Sequence, residues 1–192
     1  MSSRIVLVTG GSRSGKSAHA QKRAEAIVGK RVYVATCPVI DGEMEERVRR
    51  HREARNTRDW QTVEEPVDLA GAIARAKGSS VVLVDCLTLW VNNLMYEAEI
   101  RGERLSESAI ASRCEPVVEA ARHLDSTVLF VTNETGMGIV PENPVSRHFR
   151  DLAGRVNQVI AAAADEVVLV VCGQPLCIKF PPPHSPETNP IP

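Results

Sequence analysis

An eight-residue segment near the amino terminus constrains the fold of this chain more than any other feature. Residues 10–17 read Gly-Gly-Ser-Arg-Ser-Gly-Lys-Ser, which fits the pattern GxxxxGK followed by Ser or Thr. The apolar, β-branched run at residues 5–9 precedes it, and a helical pattern over residues 17–28 follows. An apolar run of this kind suits a strand that is buried on both faces of a sheet. The segment therefore predicts an α/β domain whose strand–turn–helix unit binds phosphate.

Each part of this turn has a role in holding phosphate groups. Glycines let backbone N–H groups point inward around phosphate oxygens, and the N-terminus of the following helix adds partial positive charge. Lys16 is expected to reach the β- and γ-phosphates, and the Ser17 hydroxyl to bind Mg²⁺. A glycine-rich turn with a chance lysine is the alternative, and the flanking strand and helix argue against it. The predicted nucleotide-binding residues here are Gly10, Gly11, Ser12, Arg13, Ser14, Gly15, Lys16 and Ser17.

Apolar runs that alternate with helical patterns predict the rest of the fold. The runs cover residues 5–9, 31–35, 81–85, 127–132 and 166–171, with helices over 68–76 and 106–124 and from Asn143-Pro144 onward. Such alternation predicts a mainly parallel sheet with helices on both faces. Residues 176–179 could add a last edge strand. We expect one catalytic domain over residues 1–180 and a disordered, proline-rich tail over residues 181–192.

The composition excludes several classes of protein. The 192 residues include 23 basic and 24 acidic side chains, which gives a formal net charge of −1. Such a balance provides no overall field that would attract nucleic acid or a membrane surface. The first apolar run is too short for a signal peptide, and no stretch approaches the ~18 apolar residues of a membrane helix. We expect a cytoplasmic protein with no nucleic-acid partner and no membrane span.

The five cysteines lack the spacing of a metal site. They stand at positions 37, 86, 114, 172 and 177, an odd number without a CxxC pair. A zinc site or a disulfide framework is therefore not expected in a reducing compartment. We expect these cysteines to be mostly small, buried residues.

Asp85 ends the apolar run at residues 81–85. An aspartate at a strand end is common, but beside a phosphate-binding turn it is a natural ligand of the Mg²⁺ that accompanies a nucleotide. The predicted metal ligands are therefore Ser17 and Asp85.

A charged segment over residues 41–55 reads as a helix with acidic and basic side chains four positions apart. Most of these charges suit a solvated surface. His51, however, shares a helix face with Arg47 and Arg55. A neutral imidazole between guanidinium groups can attack phosphorus, because the arginines neutralise the phosphate and hold the histidine pKa down. An exposed histidine without a role stays open as the alternative.

The next segment, Trp60-Gln61-Thr62-Val63-Glu64, has two interpretations. Trp60 could stack on a nucleotide base, and the Glu64 carboxylate could accept hydrogen bonds from the ring N–H donors of guanine. Alternatively, Trp60 lies in the core and Glu64 on the surface.

Taken together, these segments resemble a family of vitamin B12 biosynthesis, the bifunctional adenosylcobinamide kinase/adenosylcobinamide-phosphate guanylyltransferases. The similarity runs from about residue 5 to residue 179. It is carried by residues 8–17, 33–36, 50–55, 60–64 and 85–88, and most specifically by Val-Thr-Asn-Glu-Thr-Gly-Met-Gly-Ile-Val-Pro-Glu at 131–142, which continues into 147–158.

The resemblance implies two reactions at one site. ATP or GTP first phosphorylates the aminopropanol hydroxyl of adenosylcobinamide, and GMP from GTP is then transferred to that phosphate through a guanylyl-histidine at His51, with release of pyrophosphate. It also implies a RecA-like P-loop fold with a late antiparallel strand, assembled as a homotrimer. Some relatives carry a second histidine where this chain has Arg50. Beyond residues 10–17, the implied GTP contacts are Ala35, Thr36, Cys37, Arg52, Glu53, Ala54, Arg55, Glu64 and Asp85.

Two other functions share most of these features. A P-loop small-molecule kinase without guanylyltransferase activity would need everything except a reactive His51. A non-catalytic, RecA-like ATP-binding module would need partner surfaces, and the neutral net charge argues against DNA as that partner.

Overall fold

The computed structural model of the protein describes residues 3–37 and 60–180. The strands of these ranges are β1 (Arg4–Thr9), β2 (Arg31–Ala35), β3 (Trp60–Glu64), β4 (Val81–Asp85), β5 (Thr127–Val131), β6 (Glu166–Val171) and β7 (Gln174–Lys179). The helices are α1 (Lys16–Glu25), α2 (Leu69–Arg75), α3 (Leu87–Ile100), α4 (Glu107–His123) and α5 (Pro144–Ala163). The predicted tail at residues 181–192 lies outside the described residues.

The strands form one sheet in the order β3-β2-β4-β5-β1-β6-β7. Every neighbouring pair is parallel except β6 and β7, which pair antiparallel. The predicted mainly parallel sheet with a late antiparallel edge strand is confirmed. The five predicted apolar runs correspond to β1, β2, β4, β5 and β6.

Helices cover both faces of the sheet because its strands are apolar on both faces. Alternate residues of β1 enter two separate clusters: Ile5 and Leu7 join one, and Val6 and Val8 join the other. Helices α2 to α5 contribute to the first cluster, and α1 to the second. None of the helices in these two described ranges combines the length and apolar character that a membrane-spanning segment requires.

Helix α5 illustrates how the sequence determines an element. The Asn143 side-chain oxygen accepts hydrogen bonds from the backbone N–H groups of Val145 and Ser146, at 2.8 and 3.1 Å. Pro144 occupies the first turn, where its missing N–H costs nothing. Further along the helix, apolar residues recur every fourth position and are fully buried, each contributing about 1.5–3 kcal/mol; they are Leu152, Val156 and Ile160.

Two elements, α3 and β3, were not predicted. The first residue of β3, Trp60, is only 7% exposed. The ring of Trp60 packs edge-on against Tyr33, with centroids 6.1 Å apart and planes at 87°. Of the two interpretations of Trp60, stacking on a base is therefore wrong, because this indole is buried in the hydrophobic cluster between the sheet and α1.

The expectation of buried cysteines holds for two of the five. Cys86 and Cys114 are buried, Cys37 and Cys177 are half-buried, and Cys172 is exposed. Cys172 lies in the turn between β6 and β7 with a left-handed φ of 51°. Connecting turns lie at the protein surface, which explains the exposure of Cys172.

A buried carboxylate anchors the far end of α1 to the sheet. Glu166, at the start of β6, accepts two hydrogen bonds from Arg23 of α1, at 2.7 and 2.8 Å, and one from Arg4 of β1 at 2.7 Å. These bonds, that from Arg23 foremost, hold the pKa of Glu166 below its usual value of 4.5. The helix that follows the glycine-rich turn is thus tied to two strands at the opposite edge.

We expect Glu166→Gln to lower the free energy of unfolding at neutral pH by about 1–2 kcal/mol, because charge-assisted hydrogen bonds are lost beside partly solvated arginines. The folded-state pKa is depressed, so the carboxylate contributes fully above pH 4.5 and loses its contribution as the pH falls through the folded-state value. Urea unfolding of both proteins across this range measures the difference, which should shrink in acid. Glu119→Gln, at an exposed position of α4, is the control; an equal effect there would contradict the assignment.

Candidate nucleotide-binding site

The glycine-rich turn leads from β1 directly into α1. Gly15, the N-cap residue, has a left-handed φ of 93°, and Arg13 has a φ of 57°. The turn is closed by a hydrogen bond from the Ser14 backbone N–H to the Gly11 carbonyl at 3.2 Å. Gly15 has no side chain to cap α1, and no other side chain within residues 3–37 and 60–180 accepts a hydrogen bond from the first N–H groups of this helix. These groups have no partner within the helix either, so they are available to an anion at the turn.

Two neighbouring segments hold this turn in position. The backbone N–H of Gly173, in the β6–β7 turn, donates to the Ser14 carbonyl at 2.8 Å. On the other side, the Glu134 N–H donates to the Gly10 carbonyl at 3.1 Å. The packing leaves no room for a side chain at Gly10, where a Cβ would collide with the Val170 carbonyl oxygen. At Gly15 the room is tight, because a Cβ would lie 3.2 Å from the Gly173 Cα.

The Lys16 amine lies over the turn that it was predicted to serve. Its Nζ donates to the Gly11 carbonyl at 3.2 Å, and the residue is only 9% exposed. Ser17 follows in the first turn of α1 and is half-buried. This arrangement brings an ammonium group, a hydroxyl group and unpaired backbone N–H groups together at one helix N-terminus.

The parallel register gathers several predicted residues at the carboxyl edge of the sheet. Glu64 pairs with Ala35, Ala35 pairs with Asp85, and Asp85 lies level with Val8 of β1 across β5. With neighbouring strands about 4.8 Å apart, Asp85 and Val8 are separated by roughly 10 Å. The glycine-rich turn begins two residues beyond Val8, at this same edge. Contact of these residues with a nucleotide stays a prediction.

Asp85, a predicted metal ligand, lies near the glycine-rich turn at the carboxyl edge of the sheet. It is half-buried at the end of β4, and its Oδ2 accepts a hydrogen bond from the Tyr33 hydroxyl at 3.1 Å. Burial raises the pKa of the neighbouring Cys86 to about 11, so that thiol stays neutral. Mg²⁺ takes oxygen ligands and usually keeps several waters besides one or two protein groups and the substrate phosphates. A carboxylate at Asp85 and a hydroxyl at Ser17 fit that donor set.

Thr36 joins the ends of β2 and β4. It is fully buried, and its hydroxyl accepts from the Cys86 N–H and donates to the Cys86 carbonyl, both at 2.8 Å. The Asn93 amide of α3 donates to the Thr36 carbonyl at 2.8 Å. The Thr36 side chain is thus engaged within the protein, and Cys37 is the last residue before the undescribed segment. Nucleotide contacts at these positions stay predictions.

A buried polar cluster under the segment after β5 was missed by sequence reasoning. Thr88 accepts from the Asn133 N–H at 2.7 Å, and Thr132 donates to the Asn157 side-chain oxygen at 2.7 Å. The Asn157 amide donates in turn to the Asn133 carbonyl at 3.1 Å. These bonds fix the segment whose next residue, Glu134, holds Gly10. The only signal in the sequence was the presence of polar residues within otherwise apolar helix faces.

The predicted nucleophile lies outside the described residues. His51 falls in residues 38–59, as do the other predicted GTP contacts of that segment: Arg52, Glu53, Ala54 and Arg55. The chain leaves β2 for this segment at the carboxyl edge, beside Asp85.

A family model described as cobinamide kinase / cobinamide phosphate guanyltransferase matches residues 6–178. The chain belongs to this family. The match includes the glycine-rich turn, the row of residues at the carboxyl edge and the polar cluster.

Curated relatives agree with this family along nearly their whole length. Two relatives are named bifunctional adenosylcobalamin biosynthesis protein CobU. The one from Escherichia coli is 43% identical to this chain, and the one from Salmonella typhimurium is 42% identical. Each alignment covers 91% of this chain and 99% of the relative. The protein named CobP from Pseudomonas aeruginosa is 38% identical over 92% of this chain and 98% of its own length.

Solved structures of other proteins share the fold of this family member. An ATPase of a bacterial type III secretion system superposes with a TM-score of 0.55 at 11% identity, covering 88% of this chain and 51% of that one. A KaiC-like protein from Pyrococcus horikoshii gives a TM-score of 0.52 at 14% identity, covering 88% and 72%. The RecA-like P-loop fold is therefore confirmed.

The tight packing at Gly10 makes a sharp test of the turn. Overpacking costs about 1–3 kcal/mol, so we expect Gly10→Ala to raise the Kd for GTP by roughly tenfold or more. A Cβ at Gly11 meets nothing within 4 Å, and Gly11→Ala should bind GTP nearly as well as the original chain. Calorimetric titration measures both variants, and equal affinities would contradict the role assigned to the Gly10 contact.

Proposed function

We propose that this chain carries out both reactions named for its family. It phosphorylates adenosylcobinamide with ATP or GTP, and it then transfers GMP from GTP to the new phosphate, giving adenosylcobinamide-GDP and pyrophosphate. The observation that carries the proposal is the glycine-rich turn, which offers Lys16 and unpaired N–H groups at the same sheet edge as Asp85. Both reactions need such a binding site for the phosphates of a nucleoside triphosphate.

The described residues supply charge stabilisation for both steps. The Lys16 ammonium and the first N–H groups of α1 neutralise negative charge on the β- and γ-phosphates. Ser17 and Asp85 would hold Mg²⁺, which would offset negative charge on the leaving group. Preorganised donors of this kind are effective because they need not reorient as charge develops.

The kinase step uses this binding site to present the γ-phosphate to an alcohol. The acceptor oxygen of adenosylcobinamide bonds to the γ-phosphorus while the bond from that phosphorus to the β–γ bridging oxygen breaks. The hydroxyl proton is released, and the nucleoside diphosphate leaves from the turn. The described groups act on the leaving diphosphate, which is where negative charge accumulates.

The guanylyltransferase step passes GMP through His51. The imidazole nitrogen attacks the α-phosphorus of GTP, the bond to the pyrophosphate oxygen breaks, and the imidazole loses its N–H proton. A phosphate oxygen of the acceptor then attacks the same phosphorus and breaks the phosphorus–nitrogen bond, and the departing imidazole takes up a proton again. Arg52 and Arg55 steady the phosphates, while Ala35 and Glu64 contact the nucleoside. Splitting the transfer lets one site hold donor and acceptor in turn.

We also infer that the enzyme acts in the cytoplasm as a homotrimer. The five free cysteines agree with a reducing compartment. The trimer rests on the family resemblance, and light scattering that gave the mass of a single chain would argue against it.

Labelled GTP tests the covalent step directly. With GTP labelled at the α-phosphorus, we expect a protein-bound label that is released by acid and survives base, as a phosphoramidate does. His51→Ala should lose the label and still phosphorylate adenosylcobinamide, because the kinase step does not use the imidazole. GTP labelled at the γ-phosphorus is the matched control and should leave no label.

The other outcomes have distinct meanings. Kinase activity with no label on the original chain would leave a P-loop small-molecule kinase. An undiminished label in His51→Ala would move the nucleophile elsewhere. Failure to phosphorylate adenosylcobinamide with either Mg-ATP or Mg-GTP would overturn the proposed function.

A further inference from the structure

A polar groove lies between the start of α4 and the middle of α5. Its volume is about 270 Å³. This is below the roughly 300–1,000 Å³ of sites that enclose a whole drug-sized ligand, so the groove would hold only part of a larger molecule. The charged and polar side chains that line it are Glu107, Arg150, Asp151, Arg155 and Gln158.

A glycine in the interior of α5 also lines this groove. Gly154 lies eleventh in a 20-residue helix, where glycine is less favourable than alanine by about 1 kcal/mol. Neither backbone nor packing requires it, because Gly154 has no positive φ and an added Cβ would meet nothing within 4 Å. A glycine inside a helix is tolerated at a cost in stability, and here it is not required by the fold. The open space above Gly154 is part of the groove.

The groove is joined to the glycine-rich turn by a short chain of contacts. Gly136 lines the groove and accepts a hydrogen bond from Arg150 at 2.9 Å through its carbonyl. It follows Glu134 by two residues, which span at most about 7 Å. The Glu134 N–H in turn donates to the Gly10 carbonyl at 3.1 Å. A molecule anchored in the groove would therefore lie within reach of the start of the glycine-rich turn.

The chemistry of the groove suits a ligand with several primary amides. Carboxylates at Glu107 and Asp151 accept hydrogen bonds from amide NH₂ groups, and the Arg155 guanidinium donates to amide carbonyls. The loop that continues from Gly136 adds an apolar rim of exposed side chains, with Met137 at 80%, Ile139 at 97% and Val140 at 61% exposure. The combination fits a molecule with apolar faces and amide-bearing arms.

We propose that this groove binds the amide arms of the cobinamide acceptor while the apolar rim contacts the corrin ring. The inference rests on the proposed function and adds to it the surface that receives the acceptor. Cobinamide carries primary amides around an apolar macrocycle, and its acceptor hydroxyl ends a flexible aminopropanol arm. With the ring anchored at the groove, the aminopropanol arm is free to extend past Glu134 to the glycine-rich turn.

Filling the groove tests this assignment. We expect Gly154→Leu to raise the KM for adenosylcobinamide by roughly tenfold or more, because a blocked subsite loses its contacts. The KM for the nucleotide should stay within about twofold of that of the original chain, since the substitution does not alter the glycine-rich turn. Ala162→Leu, at an exposed position of the same helix, is the matched control and should leave both constants unchanged. Gly154→Ala should melt no lower than the original chain, because alanine favours a helix.

Two further measurements keep this test independent of turnover and assembly. Binding of adenosylcobinamide alone, followed by equilibrium dialysis, should weaken in Gly154→Leu and not in Ala162→Leu; unchanged binding and an unchanged KM would overturn the assignment. Light scattering should give the same mass for all variants, and a changed mass in Gly154→Leu would assign the groove to a contact between copies instead. If the original chain binds adenosylcobinamide but never phosphorylates it, the proposed function fails while the groove assignment stands.

Discussion

The approach of Gly10 to the Val170 carbonyl, together with the hydrogen bond from Gly173 to Ser14, is the constraint on which the site depends. A phosphate-binding turn works only if its backbone N–H groups point at one place, and an unsupported glycine-rich loop would sample many conformations. Here the turn between β6 and β7 supports one side and the segment after β5 supports the other. Ligand binding therefore need not supply the entropy cost of ordering the loop.

The parallel sheet does the remaining work of assembly. Glu64, Ala35 and Asp85 come from three separate strands, yet the register aligns them level with Val8, two residues before the glycine-rich turn. In a parallel sheet every strand presents its carboxyl end at the same edge, so residues distant in sequence meet there without a dedicated interaction. The buried bonds of Thr36 and Asn93 then fix where the chain leaves that edge.

Strong local patterns were readable from the sequence. The glycine-rich turn, the five buried strands and α5 each carry a local pattern that favours one kind of structure over the others. By contrast, β3 contains Gln61 and Thr62 and lies at the sheet edge, so it lacks the continuous apolar run of a central strand. Its pairing with β2 is a tertiary contact that no local pattern encodes. The polar cluster at Thr88 and Asn157 is of the same kind, because its bonds join segments that are far apart in the chain.

Strand β7 affects the tendency of the protein to aggregate through its sheet edge. It is the last strand of the sheet, and beyond it the backbone has no further partner in the described part of the chain. Its side chains include the exposed Leu176 and Ile178, which could invite another strand to add. Pro175 lacks an N–H group, and the Lys179 amine reaches back to the Ala161 carbonyl at 2.9 Å. A proline and a charged side chain at the two ends of this edge strand disfavour pairing with a strand of another molecule. The apolar side chains between them can therefore stay exposed without promoting aggregation.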